Sequence, residues 1–307
     1  MQIAIAYIAL IVIWSTTPLA MQWSTQDVGY LFALVSRTGI GAAIAILVCF
    51  MVRNKFPFDR KAVKTYAAAG CGGYLAMTCA YWGTQFVPSG WISVIFGISP
   101  IITSIIATLL LGEKSVSFVK TGALLLCLSG LWVMFQQGLA MGNDVFVGIL
   151  AVALGAVFHS LGIVSVKQIN ADISPLASMT GTLVVLLTLV VLTWFIGDHQ
   201  VPVNIPVKSA GSILYLGIIG SVIGFMLFFY VLKHLEATRA SLITIITPGS
   251  ALMLGNLLND EPITPNIIMG TGMILSGLLL FQYGTYLKIP LFKLTGRFNK
   301  NKLKSIY

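Results

Sequence analysis

GISPIITSIIATLLLGE at 97–113 and ITPGSALMLGNLLNDE at 246–261 are two versions of one pattern. In each, a Ser or Thr precedes a proline, an apolar run follows, and an acid ends the stretch. Pro100 and Pro248 are 148 residues apart, and the two final acids are separated by the same distance. This offset is nearly half of the 307 residues. A shared offset of this size indicates a duplicated unit.

The composition predicts an all-α, polytopic membrane protein. The chain is 57% hydrophobic and 9% charged, with a mean hydropathy of +0.95, whereas a soluble domain has about 25% charged residues. The net charge of +9 is interpreted below as a membrane-surface feature, so no nucleic-acid partner is predicted. The four cysteines lie in apolar runs without metal-ligand spacing, so neither a metal nor another cofactor is predicted.

Ten apolar stretches are candidates for crossing a bilayer, which requires about 20 residues each. The first has no basic n-region and no clear cleavage site, so it is interpreted as a retained span and not as a signal peptide. The fifth is short. The stretches are 3–22, 30–52, 66–86, 90–111, 121–135, 145–166, 175–196, 211–232, 240–258 and 266–286.

The basic residues predict the orientation of these spans. With a cytoplasmic N-terminus, 16 of the 18 Lys and Arg residues lie in cytoplasmic loops or in the C-terminal tail. Lys208 lies in an outer loop, and Arg37 lies within a span. Ten spans with both termini in the cytoplasm satisfy the positive-inside rule. We therefore expect a multi-pass protein of a bacterial inner membrane.

The duplication predicts two units of five spans, 1–140 and 145–288, followed by a basic cytoplasmic tail at 289–307. Because five is odd, the second unit enters the membrane from the opposite side. Inverted repeats of this kind build a site at their interface near the middle of the membrane. Glu113 is then expected at the cytoplasmic end of the fourth span, and Glu261 at the outer end of the ninth.

Three stretches resemble the EamA family of the drug/metabolite transporter superfamily. They are Trp14-Ser15, LLLGEK at 109–114 and FFYVLKHLEATRASLITIITP at 228–248. The second half departs from the usual Gly-Glu ending, because Asp260 precedes Glu261. The resemblance implies ten helices and a central cavity walled mainly by helices one, three, four, six, eight and nine. Its substrates would be amino acids, nucleotide sugars, cations or other small metabolites.

Polar and aromatic residues in these spans are the candidates for solute binding, because polar groups in a membrane usually face a cavity or another helix. Tyr74, Met77, Tyr81 and Gln85 have the 3–4 spacing of one helix face. An aromatic-rich cavity with hydroxyls and few charges suits a neutral or zwitterionic solute. The candidates are Trp14, Ser15, Tyr74, Met77, Tyr81, Trp82, Gln85, Ser99, Pro100, His159, Ser160, Phe225, Phe229, Thr247 and Pro248.

The two prolines predict a helix break at mid-membrane in both halves. Proline removes a backbone donor and frees a carbonyl about one turn earlier, which membrane helices tolerate beside a cavity or a neighbouring helix. Ser99 and Thr247 would lie beside the exposed backbone. The alternative is a hinge or a packing kink.

Several residues have two interpretations. His159 is either a proton relay or a packing residue. Arg37 either snorkels toward the outer surface or holds an anionic group of the substrate. Glu113 and Glu261 are interpreted as residues that cap helices or pack at helix ends. Small residues predict close helix packing at two pairs, Gly220 with Gly224 and Gly272 with Ser276.

The predicted function is secondary transport of small organic metabolites, first of all export of amino acids or related solutes, by alternating access. No Walker A motif is present, so ATP does not drive transport directly. An intramembrane lipid-modifying enzyme would need a nucleophile–base pair or a metal set, and a passive channel would need a continuous polar lining. The predicted partners are the solute and the lipid bilayer, with a possible homodimer.

Overall fold

The computed structural model describes residues 2–53, 55–112, 118–197, 201–234 and 243–284. Over these ranges the chain forms helices and no strand. The all-helical fold class is therefore confirmed. Seven helices are long and apolar enough to cross a membrane, so the protein is a multi-pass membrane protein.

Six helices form the first half of the chain. The start of α3 is fixed by Asp59, whose carboxylate accepts hydrogen bonds from the backbone N–H groups of Lys61 and Ala62, as an N-cap does. Gly112 ends α5 with a φ of +67°, a conformation that favours glycine. The helices are α1 (Gln2–Thr25), α2 (Tyr30–Met51), α3 (Arg60–Gly83), α4 (Ser89–Phe96), α5 (Ser99–Leu111) and α6 (Phe118–Met141).

The second half contains a π-helical stretch. Leu216–Ile223, here called the π segment, joins two α-helices without a gap, and the three together are called the α9–α10 rod. Ser174 caps α8 and Thr264 caps α12 through their side-chain oxygens. The helices are α7 (Asn143–Ile169), α8 (Pro175–Ile196), α9 (Val207–Tyr215), α10 (Gly224–His234), α11 (Ile243–Asn259) and α12 (Pro265–Tyr283).

Within the described residues, a helix lies in each of the ten predicted apolar stretches, and the ninth and tenth stretches extend beyond those residues. Two stretches differ in detail from the prediction. The fourth stretch divides into α4 and α5, with residues 97–98 between them. The fifth, predicted at 121–135, is longer than predicted, because α6 extends over Phe118–Met141. The seven candidate spans are Ile3–Thr25, Tyr30–Met51, Ser89–Leu111, Asn143–Ile169, Pro175–Ile196, Val207–Phe228 and Pro265–Tyr283.

Glycines bring two pairs of helices together most closely. A Cβ on Gly72 of α3 would lie 2.8 Å from the Cα of Gly162 of α7. A Cβ on Gly130 of α6 would lie 2.5 Å from the carbonyl oxygen of Gly270 of α12. These separations leave no room for a side chain, so the backbones approach directly.

One predicted packing seam is wrong and the other agrees with the structure. Gly272 is exposed and a Cβ there would meet no atom within 4 Å, and Ser276 is also exposed. The face of α12 that packs against α6 is offset from them and contains Gly270. Gly220 and Gly224 of the α9–α10 rod do face α1. A Cβ on either glycine would lie 3.4 to 3.9 Å from side-chain atoms of α1.

The largest apolar cluster surrounds α4, and Trp91 of that helix is among the most buried side chains of the protein. A second cluster joins α1, α2, α3, α8 and α9 around Tyr81. Large apolar side chains such as Leu109, Trp132 and Leu257 are exposed, as expected for a surface that faces lipid. The core thus lies around the interrupted α4–α5 helix, where the candidate site is found.

Candidate functional site

The interruption between α4 and α5 is a local tightening of the helix. Gly97 N–H donates to the Ser93 carbonyl at 2.9 Å in the α-helical pattern, whereas Ile98 N–H reaches only three residues back, to the Ile95 carbonyl at 3.2 Å. The next helix begins at Ser99, with Pro100 in its first turn. Proline is favoured there because the first N–H groups of a helix have no intrahelical acceptor. The predicted break in the first half is therefore present.

Pro248 does not break its helix, so the prediction of a second break is wrong. It lies within α11, which continues to Asn259. The position that matches Gly97 at the offset of 148 is Ile245, so the second half lacks the glycine that precedes the first break. Pro248 instead packs on that break, since a Cβ on Gly97 would lie 3.1 Å from the Pro248 Cγ.

A serine of α7 hydrogen-bonds to the backbone at the break. Ser160 donates to the Ser99 carbonyl at 3.2 Å and to the Ala156 carbonyl at 2.9 Å. The Ser99 hydroxyl is buried and has no hydrogen-bond partner in the described ranges. Thr247, next to Pro248, is also buried. The structure thus brings together three of the candidate residues, Ser99, Ser160 and Pro248.

His159 lies beside this group and contacts an aromatic ring. Its imidazole centroid is 6.1 Å from the Phe96 ring in an edge-on arrangement. Its Nδ1 is buried without a hydrogen-bond partner among the residues that the structure describes. Phe96 is the last residue of α4 and packs against both the α4 cluster and the Tyr81 cluster. The sequence reasoning missed Phe96, although its position directly before Gly97 was a usable signal.

The candidates on α1 and α10 form a second group. The Trp14 ring is 5.1 Å from the Phe228 ring. The Ser15 hydroxyl is buried, and within the described part of the chain nothing hydrogen-bonds to it. The side chain of Phe229 lies outside the described residues. Phe225 does not join this group, because it packs into an apolar cluster formed by α2 and α8.

The predicted face of α3 is only partly formed. Tyr74 shares a hydrogen bond of 2.6 Å with Thr193 of α8, and Met77 packs into the Tyr81 cluster. Gln85 is exposed and lies beyond Gly83, where α3 ends. The helical spacing therefore stops before Gln85, and this part of the prediction is wrong.

Trp82 contacts Phe86 in a tilted arrangement, with ring centroids 4.7 Å apart. Gln85 turns back toward it and donates to the Trp82 carbonyl. These contacts are made within one short segment at the end of α3. The structure does not bring Trp82 and Gln85 to the break at Gly97.

Arg37 is buried and does not snorkel to the surface. It is 5% exposed, and its Nη1 donates to the Tyr81 hydroxyl at 3.1 Å. Its Nη2 donates to Ser221 of the π segment at 3.3 Å. The snorkelling interpretation is therefore wrong, because the guanidinium is held inside the bundle by neutral hydroxyls.

A further pair of hydroxyls joins α1 to α9. Thr16 of α1 and Tyr215 of α9 share a hydrogen bond of 2.5 Å. The Ser221 hydroxyl also donates to the Leu216 carbonyl, five residues earlier, at 2.9 Å. Sequence reasoning missed Tyr215 and Ser221. A signal was present, since an arginine within a span requires polar neighbours.

Glu261 is a helix cap, as interpreted from the sequence. Its carboxylate accepts the backbone N–H groups of Ser89 at 3.0 Å and of Gly90 at 3.1 Å. These are the first two residues of α4, where the helix dipole favours a negative charge. Asn259 donates to the same carboxylate at 3.0 Å. Glu113 lies outside the described residues.

A shallow apolar pocket lies between α5, α6 and α12. Ile101, Leu124 and Phe281 are among its lining residues, and none of the predicted site residues lines it. In the described ranges no three His, Cys, Asp or Glu side chains are grouped as metal ligands are. The break thus brings together the Phe96 ring, the His159 imidazole, buried hydroxyls and a carbonyl that Ser160 already binds.

Comparison with known families decides what kind of protein this is. The model of the EamA-like transporter family matches residues 1–136 and 146–283. This chain belongs to the EamA-like transporter family. It is therefore a membrane transporter of that family and not an enzyme, which confirms the resemblance stated from Trp14-Ser15 and the two longer stretches.

Relatives of this family member cover most of its length. The uncharacterized transporter YoaV of Bacillus subtilis is 27% identical over 283 residues, with 91% of this chain and 96% of YoaV covered. The probable terminal-alkyne amino-acid exporter of Streptantibioticus cattleyicolor is 21% identical, with 91% and 93% covered. A solved crystal structure matches the EamA-like fold with a TM-score of 0.65 at 19% identity, over 95% of this chain and 99% of that chain.

Proposed function

We propose that the protein is a secondary transporter that exports amino acids or related small organic solutes by alternating access. The family membership supports transport, and the name of the Streptantibioticus relative supports amino acids as the first class to test. The aromatic rings and hydroxyls around the break suit a neutral or zwitterionic solute. The observation that carries the proposal is the helix break at Gly97, where the two halves of the chain meet.

The proposed architecture is ten spans in two inverted units of five. Helix contacts support it, because they occur in matching pairs. From the first half, α3 packs on α7 and on α8. From the second half, the α9–α10 rod packs on α1 and on α2, which correspond to α7 and α8. The α4–α5 pair contacts α7 as α11 contacts α1. Such exchange of partners is expected of two inverted units related by an axis in the membrane plane.

The proposed orientation places both termini in the cytoplasm of a bacterium, in its inner membrane. The distribution of Lys and Arg supports it. Asp59 and Asp172 are exposed in loops that would both face the cytoplasm. Single cysteines at these two positions, in a variant without the four native cysteines, should react with a membrane-impermeant maleimide only in inside-out vesicles. Labelling of either position from the periplasm would contradict this orientation.

The proposed movement is a rocking of one unit against the other around the break. Pro248 of α11 packs on Gly97, and Ser160 binds the Ser99 carbonyl, so elements from both units meet at this point. A tightened turn beside a buried unpartnered hydroxyl is suited to a hinge, because few backbone hydrogen bonds must change. Solute binding near Ser99 would then be coupled to the opening of one side.

Transport by the purified protein in liposomes tests the proposal. Vesicles are loaded with a labelled panel of amino acids, and release into the medium is compared with protein-free vesicles. We expect release of at least one aliphatic or aromatic amino acid down its gradient, with and without an imposed proton gradient. The absence of release for every member of the panel would contradict amino-acid export.

A matched pair of tryptophan variants localises the site. Trp14→Ala removes a ring that packs on Phe228 inside the bundle, whereas Trp132→Ala removes a ring that is 61% exposed on α6. We expect the first to reduce transport at least about tenfold and the second to leave it unchanged. Equal effects would remove the support for a site beside α1.

The possible homodimer is tested separately by the mass of the particle in nanodiscs.

A further inference from the structure

Arg37 is a buried cation without a carboxylate partner. Its side chain lies seven residues into α2, about 10 Å along the helix from Tyr30, and is 5% exposed. Its two hydrogen bonds go to the neutral hydroxyls of Tyr81 and Ser221. No Asp or Glu of the described ranges pairs with it. Neutral acceptors leave the positive charge uncompensated, and such residues in a span are usually functional.

The fold does not require an arginine at this helix crossing. A Cβ on Gly217 of the π segment would lie 3.1 Å from the Arg37 carbonyl oxygen. The matching crossing in the other half has the same form, since a Cβ on Gly70 of α3 would lie 3.2 Å from the Thr182 carbonyl oxygen. Thr182 of α8 thus occupies the place of Arg37. A neutral residue is sufficient for packing there, so packing does not explain why position 37 carries a positive charge.

A small unfilled space adjoins the guanidinium. A Cβ on Gly220 would lie 3.7 Å from Arg37 Nη2 and 3.9 Å from the Thr17 hydroxyl oxygen. Both are ordinary contact distances, so the glycine leaves room for about one methyl group between them. Gly220 and Ser221 both belong to the π segment, and π-helical turns are rare and frequently located at functional sites.

We infer that Arg37 binds the carboxylate of the transported solute, beside Gly220 and Ser221. This inference rests on the proposed transport function and names the solute class, which is organic carboxylates including zwitterionic amino acids. A guanidinium has five N–H donors in a planar fork, of which Tyr81 and Ser221 occupy two. The remaining donors can form the paired hydrogen bonds that a carboxylate accepts.

Pairs of probes that differ in the carboxylate test the inference. L-leucine, L-phenylalanine and L-methionine are each compared with the amino alcohol of the same side chain, in liposome transport and in thermal unfolding. We expect the acids to be transported and to raise the unfolding temperature, and the alcohols to do neither. If acids and alcohols are transported equally, the inference is wrong and transport stands. If neither is transported, both the inference and amino-acid export are wrong.

Removing the charge should remove the preference for acids. We expect R37Q to weaken binding of the transported acid at least about tenfold, the size of one lost charge-assisted hydrogen bond, and R37K to recover part of it. R53Q makes the same change at an exposed arginine and should leave binding as in the wild type. Unchanged acid binding by folded R37Q would overturn the inference.

A second variant keeps the test valid if R37Q does not fold. Gly220→Ala fits at contact distance but fills the space beside Nη2, so it should fold normally and weaken acid binding severalfold. Gly211→Ala adds the same methyl group on the same rod, where no atom lies within 4 Å, and should have no effect. Full acid binding by Gly220→Ala would also overturn the inference.

Discussion

Pro100 and Pro248 occupy the same place in a repeated sequence pattern, but their surroundings differ. Pro100 starts a new helix after the tightened turn at Gly97, whereas Pro248 lies inside a helix that continues to Asn259. The matching residue for Gly97 is Ile245. The comparison shows that a proline alone is not sufficient to interrupt a helix of this protein. The interruption required a glycine before it and two partners from the rest of the chain.

Those partners are different in kind. Ser160 satisfies the Ser99 carbonyl with a hydrogen bond, and Pro248 fills the space that Gly97 leaves. The continuous helix therefore serves as a packing surface for the interrupted one. Glu261, just beyond the end of the continuous helix, also caps the start of α4. The interrupted helix thus depends on the continuous one at its start and at its break.

The largest expected effect is the loss of this cap. Glu261→Ala leaves the buried N–H groups of Ser89 and Gly90 without acceptors, so we expect the free energy of unfolding to fall by about 3 kcal/mol. Unfolding in mixed detergent micelles measures it. The control is Asp260→Asn at the exposed neighbouring position with a φ of +51°, which asparagine also tolerates. Equal stability of the two variants would show that the cap does not support α4.

The next effect is at the break itself. A methyl group on Gly97 would lie 3.0 Å from the Val94 carbonyl oxygen and 3.1 Å from Pro248 Cγ, so Gly97→Ala should destabilise the protein by about 2 kcal/mol. Gly249→Ala places a methyl group within α11 where no atom lies within 4 Å. It should stabilise the helix by up to about 1 kcal/mol. A neutral Gly97→Ala would mean that Pro248 does not pack on the break.

Exchanging each proline for alanine compares the two regions directly. Pro248→Ala restores an N–H donor inside α11, a gain of about 3 kcal/mol, and removes two packed methylenes at about 0.8 kcal/mol each. We expect a net stabilisation of about 1 kcal/mol together with slower transport. Pro100→Ala, in the first turn of α5, should change stability by less than about 0.5 kcal/mol. Destabilisation by Pro248→Ala would show that packing outweighs the lost hydrogen bond.

The smallest effect is the loss of the serine hydrogen bond. Ser160→Ala removes the donor to the Ser99 carbonyl and should cost about 1 kcal/mol. Ser129 of α6 bonds only to the carbonyl four residues earlier and is exposed. Ser129→Ala should therefore be neutral within about 0.5 kcal/mol. The difference between the two variants measures what Ser160 contributes at the break.

Local patterns were sufficient to predict the helices and part of the site. Apolar length predicted where helices lie in the described part of the chain. The interruption before Pro100 and the position of Glu261 at a helix end also agree with the prediction. Two predictions were wrong, that of a helix face extending to Gln85 and that of a packing seam at Gly272. Regular spacing does not show where a helix ends or which side of it contacts a neighbouring helix.

The environment of Arg37 shows the same limit. The sequence places an arginine in a span, but two interpretations were open, because its hydrogen-bond partners come from α3 and from the π segment. These residues are 44 and 184 positions away. Sequence spacing cannot indicate such a meeting, and the π-helical turn that presents Ser221 has no local signal that we identified.

The sequence by itself determined the helical membrane fold and the family, because both depend on apolar length and on motifs that are local in the chain. The tertiary structure decided which proline interrupts a helix, which glycine faces a neighbour and whether Arg37 is buried. These outcomes depend on groups distant in sequence that fill one space or share one hydrogen bond. Packing in a bundle is a property of several helices together, so no single stretch of sequence contains it.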